Sequence, residues 1–392
     1  MKNHFFKNFA FEFETTRLMW YIPNGGADYG EVATVAEKIN PRNNESWYQE
    51  WSNFAEKLQQ RGQQFHSTES CGNAYLRASR YYQAAEFFLS PQDPRKLTAY
   101  QQSVSLFYQA LDLKKISYQR YQVGKFRTVF FQTTKESRGT FYICGGFDAL
   151  LEELYFTNVV STLAQGFDVV LYEGPGQSNV IREHQLVFDE NWDQVAEVVI
   201  NFYEKEIGLK GLRIGVGISL GGLLLARAAS SNQNLFDKVI LYNYFPSMLA
   251  SFQKSLPKFL HKYLDTGFPL FLEKICSQYI ASNSFLNWQV THAKWVFGAD
   301  SLNELLKVTS RFNEEIAYKR LTTDCLIFLA KNENYYDYQL GRNFYQKIPA
   351  KNKRLILFDK QDFSADLHCQ NGAAYDSNDQ LFQWLDEETL KS

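Results

Sequence analysis

A surplus of one charge is missing from this sequence: 41 Lys and Arg stand against 43 Asp and Glu, with no basic block or stripe. Nothing in that distribution attracts a nucleic-acid backbone or an anionic membrane surface, so a small-molecule partner fits better. Cysteine is sparse too. Cys71, Cys144, Cys276, Cys325 and Cys369 are scattered, odd in number and without a CxxC pair. This indicates neither a disulfide framework nor a thiolate metal site, and suits free thiols in a reducing compartment. Long hydrophobic runs are also lacking, since no segment reaches the roughly 18 unbroken apolar residues of a membrane span. Residues 1–21 mix charge with aromatics instead of presenting an apolar stretch and a small-residue cleavage site. The expectation is a cytoplasmic protein.

What is abundant is aromatic bulk. The 33 Phe and 24 Tyr can line both a core and a pocket for an apolar or aromatic ligand. With 392 residues the chain exceeds one minimal core, so two domains, or one with large insertions, are expected. Residues 47–61, 74–89 and 97–111 place apolar side chains at three-to-four spacing, with Pro91 and Pro94 between the last two runs, which predicts an N-terminal helical domain over 1–114. From residue 115 the pattern changes. Two alternating runs flank Gly124 as a hairpin would, and strands at 140–144, 168–172, 213–217, 238–243, 325–330 and 354–358 then alternate with helices such as 191–206 and 223–230. This predicts an α/β core over 115–392, doubly wound around a mostly parallel sheet. The alternation stops over about 245–320, where helical periodicity suggests a lid placed over the carboxyl edge of the sheet; padding of the core or a homodimer surface are the alternatives.

The most informative segment is Leu212 to Gly222, in which an apolar strand enters Gly217-Ile218-Ser219-Leu220-Gly221 and leaves as an apolar helix. G-x-S-x-G in that context presents a serine on a strained strand-to-helix turn, and glycines let strand and helix approach closely. The free N–H groups at the helix start face any oxyanion formed at Ser219, with Leu220 N–H as first donor. A phosphate-cradling loop would want a Lys near the helix start, and none is there. Upstream, Cys144-Gly145-Gly146-Phe147-Asp148 ends a strand at the place from which a second donor comes, making Phe147 N–H the candidate. Asp148 either orients this loop or caps a helix beginning near Leu150. The turn Glu173-Gly174-Pro175-Gly176-Gln177 reads as structural.

Of the six histidines, His368 alone follows the last predicted strand and precedes the last helix, where the order Ser, acid, His puts the base. The acid belongs after strand 325–330, in Lys331-Asn332-Glu333-Asn334-Tyr335-Tyr336-Asp337, and the slot that usually carries Asp holds Asn334. Glu333 with a one-residue shift, Asp337, or no acid at all are the three readings. Glu333 is favoured because Glu is accepted there and reaches farther.

Together these motifs resemble α/β-hydrolases that carry an N-terminal helical domain, a group including fermentation–respiration switch protein-like esterases and pseudooxynicotine-type C–C bond hydrolases. The resemblance covers most of the chain. It rests also on Leu76-Arg77-Ala78-Ser79-Arg80-Tyr81-Tyr82 with Ala85-Glu86-Phe87-Phe88, on Gly145-Gly146-Phe147-Asp148, on Glu173-Gly174-Pro175-Gly176, and on His368-Cys369-Gln370 followed by Gly372. It implies a substrate held between helical domain and core, near residues such as Arg77, Tyr81 or Tyr82, with Asp148 as a further candidate contact. It further implies an acyl-enzyme reaction at Ser219 on a carbonyl substrate, with no metal or organic cofactor. C–C hydrolysis of a β-diketone-like substrate would use the same residues, and a non-catalytic hydrolase-like binding protein is the alternative that Asn334 motivates.

Overall fold

Short apolar strands alternating with helices in the second part of the chain assemble into one eight-stranded sheet. The structure is a computed structural model and describes residues 4–313 and 315–389. In chain order the strands are β1 (Gln119–Val123), β2 (Phe126–Phe131), β3 (Gly139–Cys144), β4 (Asp168–Tyr172), β5 (Leu212–Ile218), β6 (Lys238–Tyr242), β7 (Asp324–Ala330) and β8 (Lys353–Phe358). Their order across the sheet is β1-β2-β4-β3-β5-β6-β7-β8. β1 and β2 form the expected antiparallel hairpin, β2 also runs antiparallel to β4, and all later pairs are parallel. Every residue of β3 and β4 is buried, as strands covered on both faces require.

Strand order decides where chemistry can happen. From β3 the chain steps outward to β4, then returns to the other side of β3 to lay down β5. The loops leaving β3 and β5 therefore diverge from adjacent strands, with Cys144 in register with Gly217, which makes this a topological switch point of the sheet.

The chain divides into two compact units, Gln119–Glu273 with Val296–Ser392 carrying the sheet, and Met1–Tyr118 with Lys274–Trp295, in which the described regular elements are helices. In the helical unit, Asn44–Gln63, Thr68–Phe87 and Pro94–Leu113 follow one another with side-chain caps at Asn43, Ser67 and Asp93. Ala74, Ala78 and Ala85 on the middle helix are fully buried, which lets its neighbours approach, and Trp47 and Trp51 fill the space beside it. Two earlier helices, Phe9–Trp20 and Tyr29–Ala36, lie outside the periodic runs read from sequence. The stretch read as a lid is built of helices joined by turns, with a Ser247–Asn313 bridge, and Lys274–Trp295 within it belongs to the helical unit. The reason is local: Trp288 stacks on Phe87 at 4.5 Å between ring centroids, and its indole N–H donates to the Phe87 carbonyl at 2.6 Å.

Candidate active site

β5 ends in Ser219, whose backbone takes φ 58° and ψ −121°, and the helix Leu220–Ser231 starts at the next residue. Such a conformation is costly for a residue with a Cβ and persists only where its surroundings enforce it. Here the Ser219 N–H donates to the Tyr242 carbonyl at 2.9 Å, and the Ser219 carbonyl accepts from Gly222 N–H at 2.8 Å. Gly217 has no alternative: a Cβ there would stand 2.2 Å from the Gly221 carbonyl oxygen, a backbone atom that cannot swing aside. Gly217→Ala is expected to destabilise the protein by about 2–3 kcal/mol, the cost of overpacking a close backbone contact. A melting temperature equal to wild type would refute this.

His368 sits on a short turn, His368–Gln370, reached after β8. Its Nδ1 is 2.7 Å from Glu333 Oε2, and its Nε2 is 2.8 Å from Ser219 Oγ. With Nδ1–H donating to the carboxylate, Nε2 is left as acceptor for the Ser219 hydroxyl. Glu333 is 4 % and His368 8 % exposed, so the interaction between them is shielded from bulk water. Burial alone would raise the Glu333 pKa, but the His368 charge, with hydrogen bonds from His368, Tyr335 and Asn243, outweighs it and holds the carboxyl below its ordinary value. Burial alone would depress His368; its neighbours Cys369 and Glu333 reverse that and raise the imidazole well above its ordinary value.

Of the three readings of the acid, the geometry brings Glu333 to the imidazole. Asn334 is exposed, and Asp337 is an exposed N-cap whose side chain accepts from Gln339 N–H at 3.0 Å. Around Glu333 lie residues that sequence reasoning missed. Tyr335 N–H donates to its Oε1 at 2.8 Å, and Asn243 Nδ2 donates to its Oε2 and to the Tyr336 hydroxyl. Asn243 follows β6 directly, is fully buried, and has its amide orientation set by Gln370 Nε2, which donates to its Oδ1 at 3.1 Å. It also lies 2.9 Å from His368 Nδ1, a contact of two donors once Nδ1 carries its proton. No spacing rule points to an Asn at the end of a neighbouring strand.

On the β3 side, the loop backbone closes on the serine turn. A Cβ on Gly146 would fall 2.8 Å from the Ile218 carbonyl oxygen, 2.9 Å from Ser219 Cβ and 3.1 Å from Leu220 N, so the chain leading to Phe147 passes against Ser219 and Leu220. Phe147 is half-buried and faces Phe297 at 6.3 Å between centroids, beside Phe188 and Phe312. Asp148 is half-buried; the helix expected near Leu150 starts later, with Leu154 in the N-cap position, so Asp148 is not its cap. In the helical unit, Arg77 Nε pairs with Glu31 at 2.8 Å, and the fully buried Tyr81 donates its hydroxyl to the same carboxylate at 2.8 Å. Among the described residues no cluster of three His, Cys, Asp or Glu side chains could hold a metal ion, and no helix is long and apolar enough to cross a membrane.

Residues 136–361, more than half of the chain, match the family described as serine aminopeptidase, S33. The chain belongs to this family of α/β-hydrolases. It is thus an enzyme, a hydrolase with an N-terminal helical region ahead of its sheet. Similar curated proteins include hydrolase acrC of Aspergillus aculeatus, 26% identical over 98% of this chain and 97% of the relative. The 20-hydroxy-prefusarin hydrolase FUS2 of Gibberella moniliformis is 27% identical over 96% of each. Among solved structures, the 2,6-dihydroxy-pseudo-oxynicotine hydrolase superposes with a TM-score of 0.73 at 15% identity over 95% of both chains, a likeness of fold.

Proposed function

We propose that this α/β-hydrolase cleaves a carboxylic ester or related carbonyl compound through an acyl-enzyme on Ser219. The observation that carries the reading is the hydrogen-bonded line from Ser219 Oγ through His368 to Glu333, at 2.8 and 2.7 Å. His368 Nε2 takes the hydroxyl proton as Oγ adds to the carbonyl carbon, and Glu333 stabilises the imidazolium that forms. Phe147 and Leu220 N–H groups hold the oxyanion. Collapse of the tetrahedral adduct expels the alcohol, which leaves with the proton from Nε2, and water then releases the acid by the same steps. The half-buried ring of Phe147, backed by the packed Phe297, favours an apolar or aromatic substrate. A substrate contact by Asp148 belongs to the same proposal, and the free cysteines fit a cytoplasmic setting.

The test is labelling with a fluorophosphonate, alongside turnover of p-nitrophenyl esters and of β-diketones. Labelling of wild type that is absent from Ser219→Ala supports an activated serine, and the faster substrate class decides between ester and C–C hydrolysis. A folded wild-type protein that neither labels nor turns over either class would sink the proposal and favour ligand binding alone.

A pH dependence follows from the same geometry. Catalysis needs a neutral imidazole, and the His368 pKa is raised, so the base form is lost as pH falls through a value above the ordinary one. The acid limb of kcat/KM is therefore expected above pH ~6.5, the unperturbed histidine value. A pH–rate profile with its acid midpoint at or below that value would contradict the assignment.

A further inference from the structure

Beside the loop that carries Phe147 lies a buried amide that the reaction scheme leaves unused. Gln177 ends the turn after β4, is 3 % exposed, and commits both ends of its side chain to backbone. Its Nε2 donates to the Gly145 carbonyl at 2.6 Å and to the Gly146 carbonyl at 3.3 Å, and its Oε1 accepts from Gly174 N–H at 3.2 Å. We infer that Gln177 is a positioning residue of the oxyanion hole, holding the Gly145–Gly146 backbone so that the Phe147 N–H is aimed at the oxygen bound beside Ser219.

The argument begins with the glycines. Gly145 and Gly146 cannot carry side chains, because a Cβ on the first would meet Ala149 Cβ at 2.4 Å and on the second the serine turn. Two successive glycines leave a backbone with wide conformational freedom, and an oxyanion donor must be fixed before the charge develops. A trans peptide unit directs its carbonyl and its N–H to opposite sides, and the described residues contain no cis bond. Holding the Gly146 oxygen toward Gln177 therefore directs the Phe147 N–H away from Gln177.

The turn that bears Gln177 is itself anchored. Glu173 is bound by Arg127 Nε at 2.9 Å and by Asn179 N–H at 3.2 Å, and Gly176 N–H donates to the Leu186 carbonyl at 2.7 Å. A Cβ on Gly174 would meet Trp192 Cη2 at 2.4 Å. The fixed geometry of β2, β4 and the Glu173 turn is thus relayed through one side-chain amide to the donor.

This inference rests on the reading of Ser219 as nucleophile, and the experiment separates the two. Wild type, Ser219→Ala, Gln177→Leu and Gln177→Glu are compared as full chains for turnover of a p-nitrophenyl ester and for affinity toward phenylboronic acid. Boron accepts a lone pair from Ser219 Oγ, the hydroxyl proton passes to His368 Nε2, and the tetrahedral boronate bears the charge an oxyanion would. Gln177→Leu is expected to lower kcat about 10- to 100-fold with KM almost unchanged, and to weaken phenylboronate about tenfold or more, as loss of a well-aimed donor does. Gln177→Glu keeps the size of the side chain but sets a carboxylate against two carbonyls, and is expected to show the same loss. Either variant, folded by its melting curve, with kcat and boronate affinity within about twofold of wild type overturns the inference; so does a loss confined to KM. Equal boronate binding by wild type and Ser219→Ala would instead remove the nucleophile reading, and this inference would fall with it.

Discussion

Ser219→Ala is expected to lower kcat by about a millionfold while the protein melts as wild type does. In the proposed reaction the hydroxyl oxygen forms the bond to carbon, so no neighbour substitutes for it. Its hydrogen-bond partner among the described side chains is His368 Nε2, which reaches it from a surface that is 8 % exposed. The strained backbone at φ 58° is equally available to Ala, because Ala and Ser share a Cβ. The Phe147 and Leu220 N–H groups remain in the variant, and about a thousandfold acceleration over water is expected to survive on them and on binding alone. Steady-state hydrolysis of a p-nitrophenyl ester, paired with a thermal melt, measures both quantities. Retention of more than a tenth of wild-type kcat would show that Ser219 is not the nucleophile.

Glu333→Gln is expected to cost about ten-thousandfold in kcat, the size of effect produced when a triad carboxylate becomes an amide. As a carboxylate, Glu333 accepts from Tyr335 N–H on one oxygen, and from Asn243 Nδ2–H and His368 Nδ1–H on the other. A glutamine has one acceptor oxygen for these three donors. Its NH2 then faces either a donor or Nδ1, and in the latter case the imidazole adopts the tautomer with the proton on Nε2, which cannot take a proton from Ser219. Loss of the negative charge also removes a cause of the raised His368 pKa, so the residual activity is expected to have its acid limb at lower pH than wild type. Asp337→Ala is the contrasting variant. It removes an N-cap from the helix Tyr338–Lys347 and is expected to cost about 1 kcal/mol of stability with little change in kcat. Should Asp337→Ala abolish turnover and Glu333→Gln spare it, the acid has been assigned to the wrong residue.

The difference between these two carboxylates illustrates where sequence reasoning stops. Strand, turn and helix around Ser219 form a local pattern, because Gly217 and Gly221 answer steric demands made by residues within a few positions and by the neighbouring β3 turn. His368 could be found by its order after the last strand. For the acid, Glu333, Asn334 and Asp337 all lie in one loop, and the loop's path selects among them. That path is held by Lys254, from the distant helix Met248–Ser255, whose ammonium donates to the Glu333 carbonyl at 2.5 Å and the Tyr336 carbonyl at 3.1 Å. Such a bond leaves no periodic trace.

The first helix shows the same limit. Phe9, Phe11 and Phe13 alternate with Ala10 and Glu12 and make no helical stripe, yet Phe9–Trp20 is a helix. Glu12 is buried there because its carboxylate accepts the backbone N–H groups of His4, Phe5 and Phe6, a tertiary use of a charged residue at an apolar site.

By itself, then, the sequence determined the fold class, the helical region ahead of the sheet and the strand-to-helix turn at Ser219, since each depends on steric rules and hydrophobic periods that act over a few residues. Only the tertiary structure decided that β3 lies between β4 and β5, that Lys274–Trp295 joins the helical unit, that Glu333 reaches His368, that Asn243 bonds Glu333 and that Gln177 bonds the Gly145 carbonyl. Those outcomes depend on which loops are brought together by strand order and on single hydrogen bonds between residues far apart in the chain, and physical proximity of that kind is a property of the folded backbone.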